Sequence, residues 1–173
     1  MDEETVRRAI ADHESALIGY ACQYLRDGER ARDVVQDTFI RLYQQSPEKV
    51  SRGVKTWLFT VCRNRCLDVL RKERRLVELE DEKAVTLAAE GRTPAQRVDL
   101  VERVDELKAF MEDLSDNQRE VILLKFERGL SYAEISEVTK LSSGNVGFIL
   151  HTGLKKLRGL LPADFLQDLS TAS

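Results

Sequence analysis

Two cysteines, Cys62 and Cys66, are four residues apart, so they share one face if their segment is helical. Paired thiolates can bind a metal ion, but neither histidine, His13 or His151, forms a ligand pair near them. A third cysteine, Cys22, makes the total odd, which fits a reducing compartment better than a disulfide framework. We therefore expect buried free thiols, no metal site and no cofactor.

Residue patterns typical of catalysis are also missing from the sequence. It contains no glycine-rich phosphate loop, no histidine–carboxylate cluster and no metal-ligand spacing. We predict no catalytic residues and a protein that is not an enzyme.

The charge of the N-terminus and the hydropathy pattern indicate the cellular compartment in which we expect the protein. Residues 2–4 are all acidic, which is the wrong charge for the start of a secretory signal. No apolar run approaches the roughly 18 residues that a membrane span needs. We expect a cytoplasmic protein without membrane insertion.

Positive charge is concentrated in one segment of this 173-residue chain, although the whole chain carries a net charge of −3. Residues 52–75 hold eight basic and two acidic residues, a net charge of +6. Residues 76–114 hold five basic and eleven acidic residues. Because a local cluster of cations is the electrostatic footprint of nucleic-acid binding, residues 52–75 are the candidate DNA-binding segment.

Apolar residues recur with a helical period nearly throughout the chain. In the first half this period predicts three helices, at 6–24, 30–44 and 54 to about 75. A weakly patterned acidic stretch follows, and Thr93-Pro94 is a start signal for further helix.

Capping signatures at Ser115 and Ser131 and a serine at 142 or 143 then predict helices that end near Arg128, Lys140 and Leu161. A short helix, a tight turn and a longer helix form the helix-turn-helix pattern. On spacing alone, an ordinary helical hairpin is the favoured explanation of this pattern.

The predicted helix 30–44 has two distinct faces. Its core-facing positions are Ala31, Val35, Thr38, Phe39 and Leu42. The opposite stripe recurs at helical spacing and forms one continuous surface strip: Asp33, Gln36, Asp37, Ile40 and Gln44. An exposed isoleucine between acids and glutamines suits contact with a partner helix better than contact with solvent.

Two stretches resemble a known family. Asp33–Gln45 and Val54–Arg75 resemble conserved region two of bacterial sigma factors, and Leu114–Arg158 resembles region four. The order, the acidic stretch between them and the small size are similar to the extracytoplasmic-function (ECF) class. The resemblance implies an all-α fold of two small helical domains joined by an acidic linker, the second a helix-turn-helix. We expect region two at 1–75, the linker at 76–93 and region four at 94–173.

The resemblance also implies a function and partners. It implies an alternative sigma factor that binds core RNA polymerase and directs promoter recognition, DNA melting and transcription initiation. The strip Asp33–Gln44 would bind the clamp coiled coil of the largest polymerase subunit. An anti-sigma factor would hold the protein inactive.

The minus-ten promoter element would be bound by the basic helix and by the polar loop Ser46–Gly53. Asn64 combines a donor and an acceptor in mid-helix, where asparagine is a poor helix former, so it is a candidate for reading an unstacked base. Trp57 supplies either core or a stacking surface. The residues expected at the minus-ten element are Lys55, Arg63, Asn64, Asp68, Arg71, Arg74 and Arg75.

The last helix departs from the family at its start. Many members have Thr-Val-Lys-Ser-Arg where this chain has Asn145-Val146-Gly147-Phe148-Ile149, so the usual basic residues are missing. Glycines 144, 147 and 153 indicate close approach either to DNA or to another helix. The residues expected at the minus-thirty-five element are Ser143, Asn145, His151, Lys155, Lys156 and Arg158.

Two other readings of the sequence remain open. One is a conventional helix-turn-helix repressor or activator that binds duplex DNA as a dimer. The other is a sigma-like interaction protein whose last helix has lost DNA binding. A repressor should bind its operator alone and with steep salt dependence, whereas a sigma factor should bind promoters tightly only with core polymerase.

Overall fold

The computed structural model describes residues 1–50, 53–80 and 111–160, with the side chains of 78–80 left out. The chain divides into two units, Met1–Arg92 and Thr93–Ser173. Within the described ranges every regular element is helical. The expected all-α class, with a helix-turn-helix in the second unit, is confirmed.

In its described part, residues 1–50 and 53–80, the first unit contains three α-helices that pack on one another. These are α1 (Glu3–Leu25), α2 (Gly28–Tyr43) and α3 (Val54–Glu80), with a short 3-10 turn at Pro47–Val50 between α2 and α3. α1 packs along α2, and α3 packs against both. This arrangement leaves one face of α2 and much of α3 available to partners.

Local capping sets the turn between α1 and α2. Arg26 adopts a left-handed conformation (φ 51°) and ends α1 by donating its N–H to the Cys22 carbonyl. The Asp27 carboxylate then accepts the backbone N–H groups of Glu29 and Arg30 at 2.9 and 3.2 Å. Because an aspartate at this position satisfies otherwise unpaired donors, α2 begins immediately after α1 ends.

The core of the first unit is built on the predicted face of α2. All five residues predicted for that face are buried, with exposures of 0–7%, which confirms this part of the reading. The Tyr20 and Phe59 rings meet edge to face, with centroids 5.2 Å apart, and join α1 to α3. Ile10 and Ile18, on the apolar side of α1, are only half-buried.

α3 is longer than the sequence pattern predicted. It continues to Glu80 rather than ending near Arg75, because Leu76–Glu80 contains good helix formers and no glycine or proline. The first five residues assigned to a linker are therefore helical. The remainder of that assignment, residues 81–93, and the helix start at Thr93 lie outside the described residues, so the domain boundaries stay predictions.

Within residues 111–160, the second unit contains α4 (Asp116–Ile122), α5 (Tyr132–Thr139) and α6 (Ser143–Leu160). α4 continues directly into a π-helical turn at Leu123–Glu127. α5 and α6, separated by a three-residue turn, form the helix-turn-helix, and α4 packs against α6.

The predicted capping signatures are confirmed in this unit. Ser115 and Gln118 form a reciprocal capping box at the start of α4, and Ser131 and Glu134 form another at α5. At α6, the Ser142 hydroxyl accepts the Asn145 N–H at 3.2 Å, which decides between the two serines proposed from sequence. These caps fix where each helix begins.

Close packing between helices explains one of the four α6 glycines. A Cβ atom at Gly153 would lie 3.0 Å from Ile122 Cδ1 and 3.3 Å from Gln118 Cβ, both on α4. Gly147 faces Tyr132, where a Cβ would meet the ring at 3.6 Å, and Gly144 faces open space. Gly153 therefore allows α6 to pack closely against α4.

Candidate polymerase and nucleic-acid interfaces

The predicted strip of α2 lies on the surface of the first unit. Asp33, Gln36, Ile40 and Gln44 are exposed, and Ile40 has an exposed fraction of 50%. Asp37 is half-buried. The strip thus holds an exposed apolar side chain flanked by acids and amides.

Asp37 differs from its neighbours because it connects two helices. Its carboxylate lies 3.2 Å from Arg41 Nε on α2 and 2.6 Å from Arg65 Nε on α3. The contact with Arg65 is an ion pair without hydrogen-bond geometry, and this buried nitrogen has no hydrogen-bond partner. The negative charge of Asp37 is therefore already partly compensated within the protein.

Beside the strip is a groove between α1 and α2, with a volume of about 680 Å³. Ile10 and Ile18 of α1 line one side, and Phe39, Ile40 and Tyr43 of α2 line the other. Tyr43 is 59% exposed and had not been singled out from sequence. The sequence alone does not show that these residues border a groove, because the crossing of α1 and α2 decides it.

α3 carries the basic segment in two parts. Lys55, Arg63 and Asp68 are half-buried in the first part, whereas Asn64 is exposed. Toward the C-terminus the cations are exposed: Arg71, Lys72, Arg74 and Arg75.

Two acids limit the positive field of this helix. Arg71 Nη1 lies 3.0 Å from Asp68 Oδ1, so Asp68 serves as an internal partner of a cation expected to bind DNA. Glu73 pairs with Arg30 of α2. The positive field is consequently strongest at Lys72, Arg74 and Arg75.

The loop expected to capture a base, Ser46–Gly53, is only partly described. Pro47–Val50 forms the 3-10 turn, with the Val50 side chain buried, and Ser51 and Arg52 lie outside the described residues. Gly53 has φ +104°, a conformation that other residues adopt with strain. This glycine lets the chain turn sharply into α3.

All six residues predicted for the minus-thirty-five element lie on the exposed surface of α6. Ser143 and Asn145 occupy its first turn, and the cations come at least two turns later. Lys156 Nζ donates a hydrogen bond to the Asp113 backbone carbonyl. One of the cations is therefore held by a contact within the second unit.

Sequence reasoning missed the side chain that dominates the start of α6. Phe148 is 67% exposed, the highest value among the described large apolar residues. It lies on the same face as Asn145, His151 and Lys155, at spacings of three and four residues. That spacing is readable from sequence once the buried face, Val146 and Leu150, is assigned.

A second aromatic lies at the start of α5. Tyr132 is 43% exposed and packs near Gly147, and Lys125 Nζ is 5.3 Å from its ring centroid. The helix-turn-helix therefore presents two exposed aromatic side chains, Phe148 and Tyr132, and the second lies next to a lysine.

The cysteines are free thiols, with Cys62 and Cys66 buried. Hydrogen bonding to Cys66 and burial both raise the pKa of the Cys62 thiol, which keeps it protonated. Among the described residues, no group of three metal-ligating side chains can hold an ion, and no helix is long and apolar enough to cross a membrane.

Comparison with known proteins assigns both units. Residues 9–76 match the family model for Sigma-70 region 2, and residues 105–157 match the model for Sigma-70, region 4. ECF RNA polymerase sigma factor SigM of Bacillus subtilis is 32% identical over 136 residues, covering 78% of this chain and 82% of the relative. ECF RNA polymerase sigma factor SigL of Mycobacterium tuberculosis is 33% identical over 162 residues, covering 90% and 89%.

Two solved structures are similar over most of the chain. The sigma factor RpoE from Bartonella quintana, in complex with the anti-sigma factor NepR, has a TM-score of 0.65 and 25% identity, covering 91% of this chain and 97% of that one. CnrH, in complex with the cytosolic domain of CnrY, has a TM-score of 0.62 and 27% identity, covering 94% and 91%. With both sigma regions present in order, this chain belongs to the ECF RNA polymerase sigma factors and is an alternative sigma factor that directs transcription initiation.

Proposed function

We propose that the strip Asp33, Gln36, Asp37, Ile40 and Gln44 is the surface through which this sigma factor binds core RNA polymerase, at the clamp coiled coil of the largest subunit. The observation that carries this proposal is the half-exposed Ile40 between polar side chains on a helix whose other face is fully packed. A coiled-coil partner would cover Ile40 and the adjoining Tyr43, and the amides and acids would form the polar rim.

The exposed cations of α3 are proposed to bind the minus-ten region and to support its melting. Arg71, Arg74 and Arg75 neutralise phosphates, with Lys55 and Arg63 nearer the start of the helix. Asn64, exposed in the middle of α3, offers a donor and an acceptor to a base that has left the stack. Asp68 acts mainly by orienting Arg71 across their 3.0 Å contact.

The helix-turn-helix is proposed to bind the minus-thirty-five element, with α6 in the major groove. Ser143 and Asn145 lie near the helix N-terminus, where side chains reach base edges and phosphates. His151, Lys155, Lys156 and Arg158 follow the backbone farther along. Because the first two turns lack charge, this unit adds little electrostatic affinity of its own.

We further propose that the protein has no catalytic activity and acts in the cytoplasm, where the polymerase and promoter DNA are. Regulation by an anti-sigma factor is supported by the two similar structures. The RpoE structure is a complex with the anti-sigma factor NepR, and the CnrH structure is a complex with the cytosolic domain of CnrY.

The decisive experiment is in vitro transcription with purified core polymerase on a genomic template library. We expect the protein to direct initiation at a small set of promoters that core polymerase alone does not use. If the protein alone binds duplex sites tightly and adds nothing to core polymerase, the repressor reading replaces this one. If it binds polymerase but selects no promoter, the sigma-like interaction protein replaces it.

A further inference from the structure

In the first two turns of α6, one large apolar side chain is exposed and another, Ile149, is half-buried. Val146 and Leu150 point into the core, and Ser143, Gly144, Asn145 and Gly147 are small. Phe148, 67% exposed, extends beyond them. In a helix-turn-helix, the N-terminal part of the second helix enters the major groove, so Phe148 lies where base edges are read.

We propose that Phe148 is a specificity-determining residue that selects thymine in the minus-thirty-five element by apolar contact with the C5 methyl group. This inference rests on the proposed function of the helix-turn-helix. The thymine methyl is the apolar group that the major groove displays, and phenylalanine is among the side chains that contact it. Burying the ring and the methyl together removes apolar surface from water, which makes the contact favourable.

The charge around Phe148 favours DNA over a protein partner. α6 contains no acidic residue, and its second half carries Lys155, Lys156 and Arg158. Along its outer face Phe148 is flanked by Asn145 and His151, which are polar. A protein-docking helix would continue the apolar stripe, whereas this face continues into cations that match phosphates.

Gly147 lies beside Tyr132, at ordinary van der Waals distance from its ring. A side chain at this position would begin 3.6 Å from the Tyr132 ring, which itself lies under Lys125 Nζ at 5.3 Å. The pair Tyr132 and Lys125 therefore adjoins the reading helix, where a hydroxyl and an ammonium group can bind a phosphate. Such a contact sets the position of the helix, and Phe148 reads the base.

The test uses holoenzyme assembled from core polymerase and the full chain. Preferred minus-thirty-five sequences are first selected from duplex promoter DNA randomised in that region. Each selected thymine is then replaced by deoxyuridine, which removes only the methyl group. We expect at least one replacement to weaken promoter binding by wild-type holoenzyme about fourfold, the effect of about one methyl group.

The Phe148→Ala variant should bind thymine and deoxyuridine at that position equally, while Phe148→Leu should retain part of the preference. Phe126→Ala is the matched control, because Phe126 is also exposed (63%) but lies in the π-helical turn. It should behave as wild type.

The outcomes separate the inference from the proposed function. A selected element whose deoxyuridine sensitivity is the same in wild type and Phe148→Ala overturns the role of Phe148 alone. If the holoenzyme transcribes but the selection yields no preferred minus-thirty-five sequence, recognition by the helix-turn-helix is overturned, and this inference with it. Weaker binding of Phe148→Ala to core polymerase in the absence of DNA would assign Phe148 to a protein contact instead.

Discussion

The two units offer different surfaces to promoter DNA. The end of α3 exposes four cations within five residues, Arg71–Arg75, whereas α6 carries none between Ser143 and Leu150. Charge attracts any sequence, and groove contacts distinguish one sequence from another. We infer that the first unit supplies most of the DNA affinity and that the second supplies local selectivity.

The largest effect is expected from removing the cations at the end of α3. Replacing Arg71, Lys72, Arg74 and Arg75 with alanine should weaken promoter binding by the holoenzyme about a hundredfold near physiological salt. The slope of log affinity against log salt should fall by about three, because up to four phosphate contacts are lost. Binding titrations across a potassium chloride series measure both quantities.

Alanine at Arg7 and Arg8 is the control for general loss of charge, since both are exposed on α1 and pair with Glu3 and Glu4. An unchanged salt slope in the α3 variant would contradict the assignment of DNA affinity to the first unit.

The next effect concerns the polymerase-binding strip. Ile40→Glu should weaken binding to core polymerase about thirtyfold, or about 2 kcal/mol, because it places a carboxylate in a covered apolar contact. Its 50% exposure means that the fold should tolerate the change, which circular dichroism can check. Val77→Glu, at 55% exposure on α3, is the matched control. Normal binding by Ile40→Glu in a pull-down would remove the strip from the interface.

A smaller effect tests whether the first unit also reads a base. Asn64→Ala should lower open-complex formation about tenfold, within the range for loss of a specific base contact, and leave polymerase binding intact. Permanganate reactivity of promoter thymines reports the melted region. Asn117→Ala makes the same substitution at an exposed site in the first turn of α4 and should have no effect. Unchanged reactivity in Asn64→Ala would restrict α3 to phosphate contacts.

The smallest effect is a gain. Gly147→Lys introduces a cation into the start of α6, and a Cβ at this position meets the Tyr132 ring at an ordinary 3.6 Å. We expect promoter binding to strengthen about threefold at low salt and the salt slope to steepen by about one. Equal strengthening on promoters with unrelated minus-thirty-five sequences would show that charge adds affinity without selectivity. No change at any salt concentration would mean that position 147 does not approach DNA.

Local signals in the sequence predicted much of the fold. Ser115 and Ser131 predict where their helices begin, because the capping residues and the helix they cap are adjacent in the chain. The core face of α2 was readable because period and burial coincide over five positions. The exposed positions of the proposed binding strip follow from the same reasoning, with Asp37 half-buried as the exception.

Features that depend on contacts between helices were not predictable. Nothing in the local pattern states that Gly153 meets Ile122 of α4, or that Ile10 borders a groove. The π-helical turn is formed by Leu123–Glu127, residues that suit an α-helix equally well. Charge composition was misleading at Leu76–Glu80, since acidic residues do not end a helix without a breaker.

The two contacts of Asp37 have a consequence for how the polymerase interface is mapped. Removing its carboxylate also removes the acidic partner of Arg65 on α3, so one substitution perturbs both the helix proposed to bind polymerase and the helix proposed to bind DNA. An alanine scan would credit the whole loss to polymerase contact. A double-mutant cycle of Asp37→Asn with Arg65→Gln separates the two contributions, because non-additivity measures their mutual coupling.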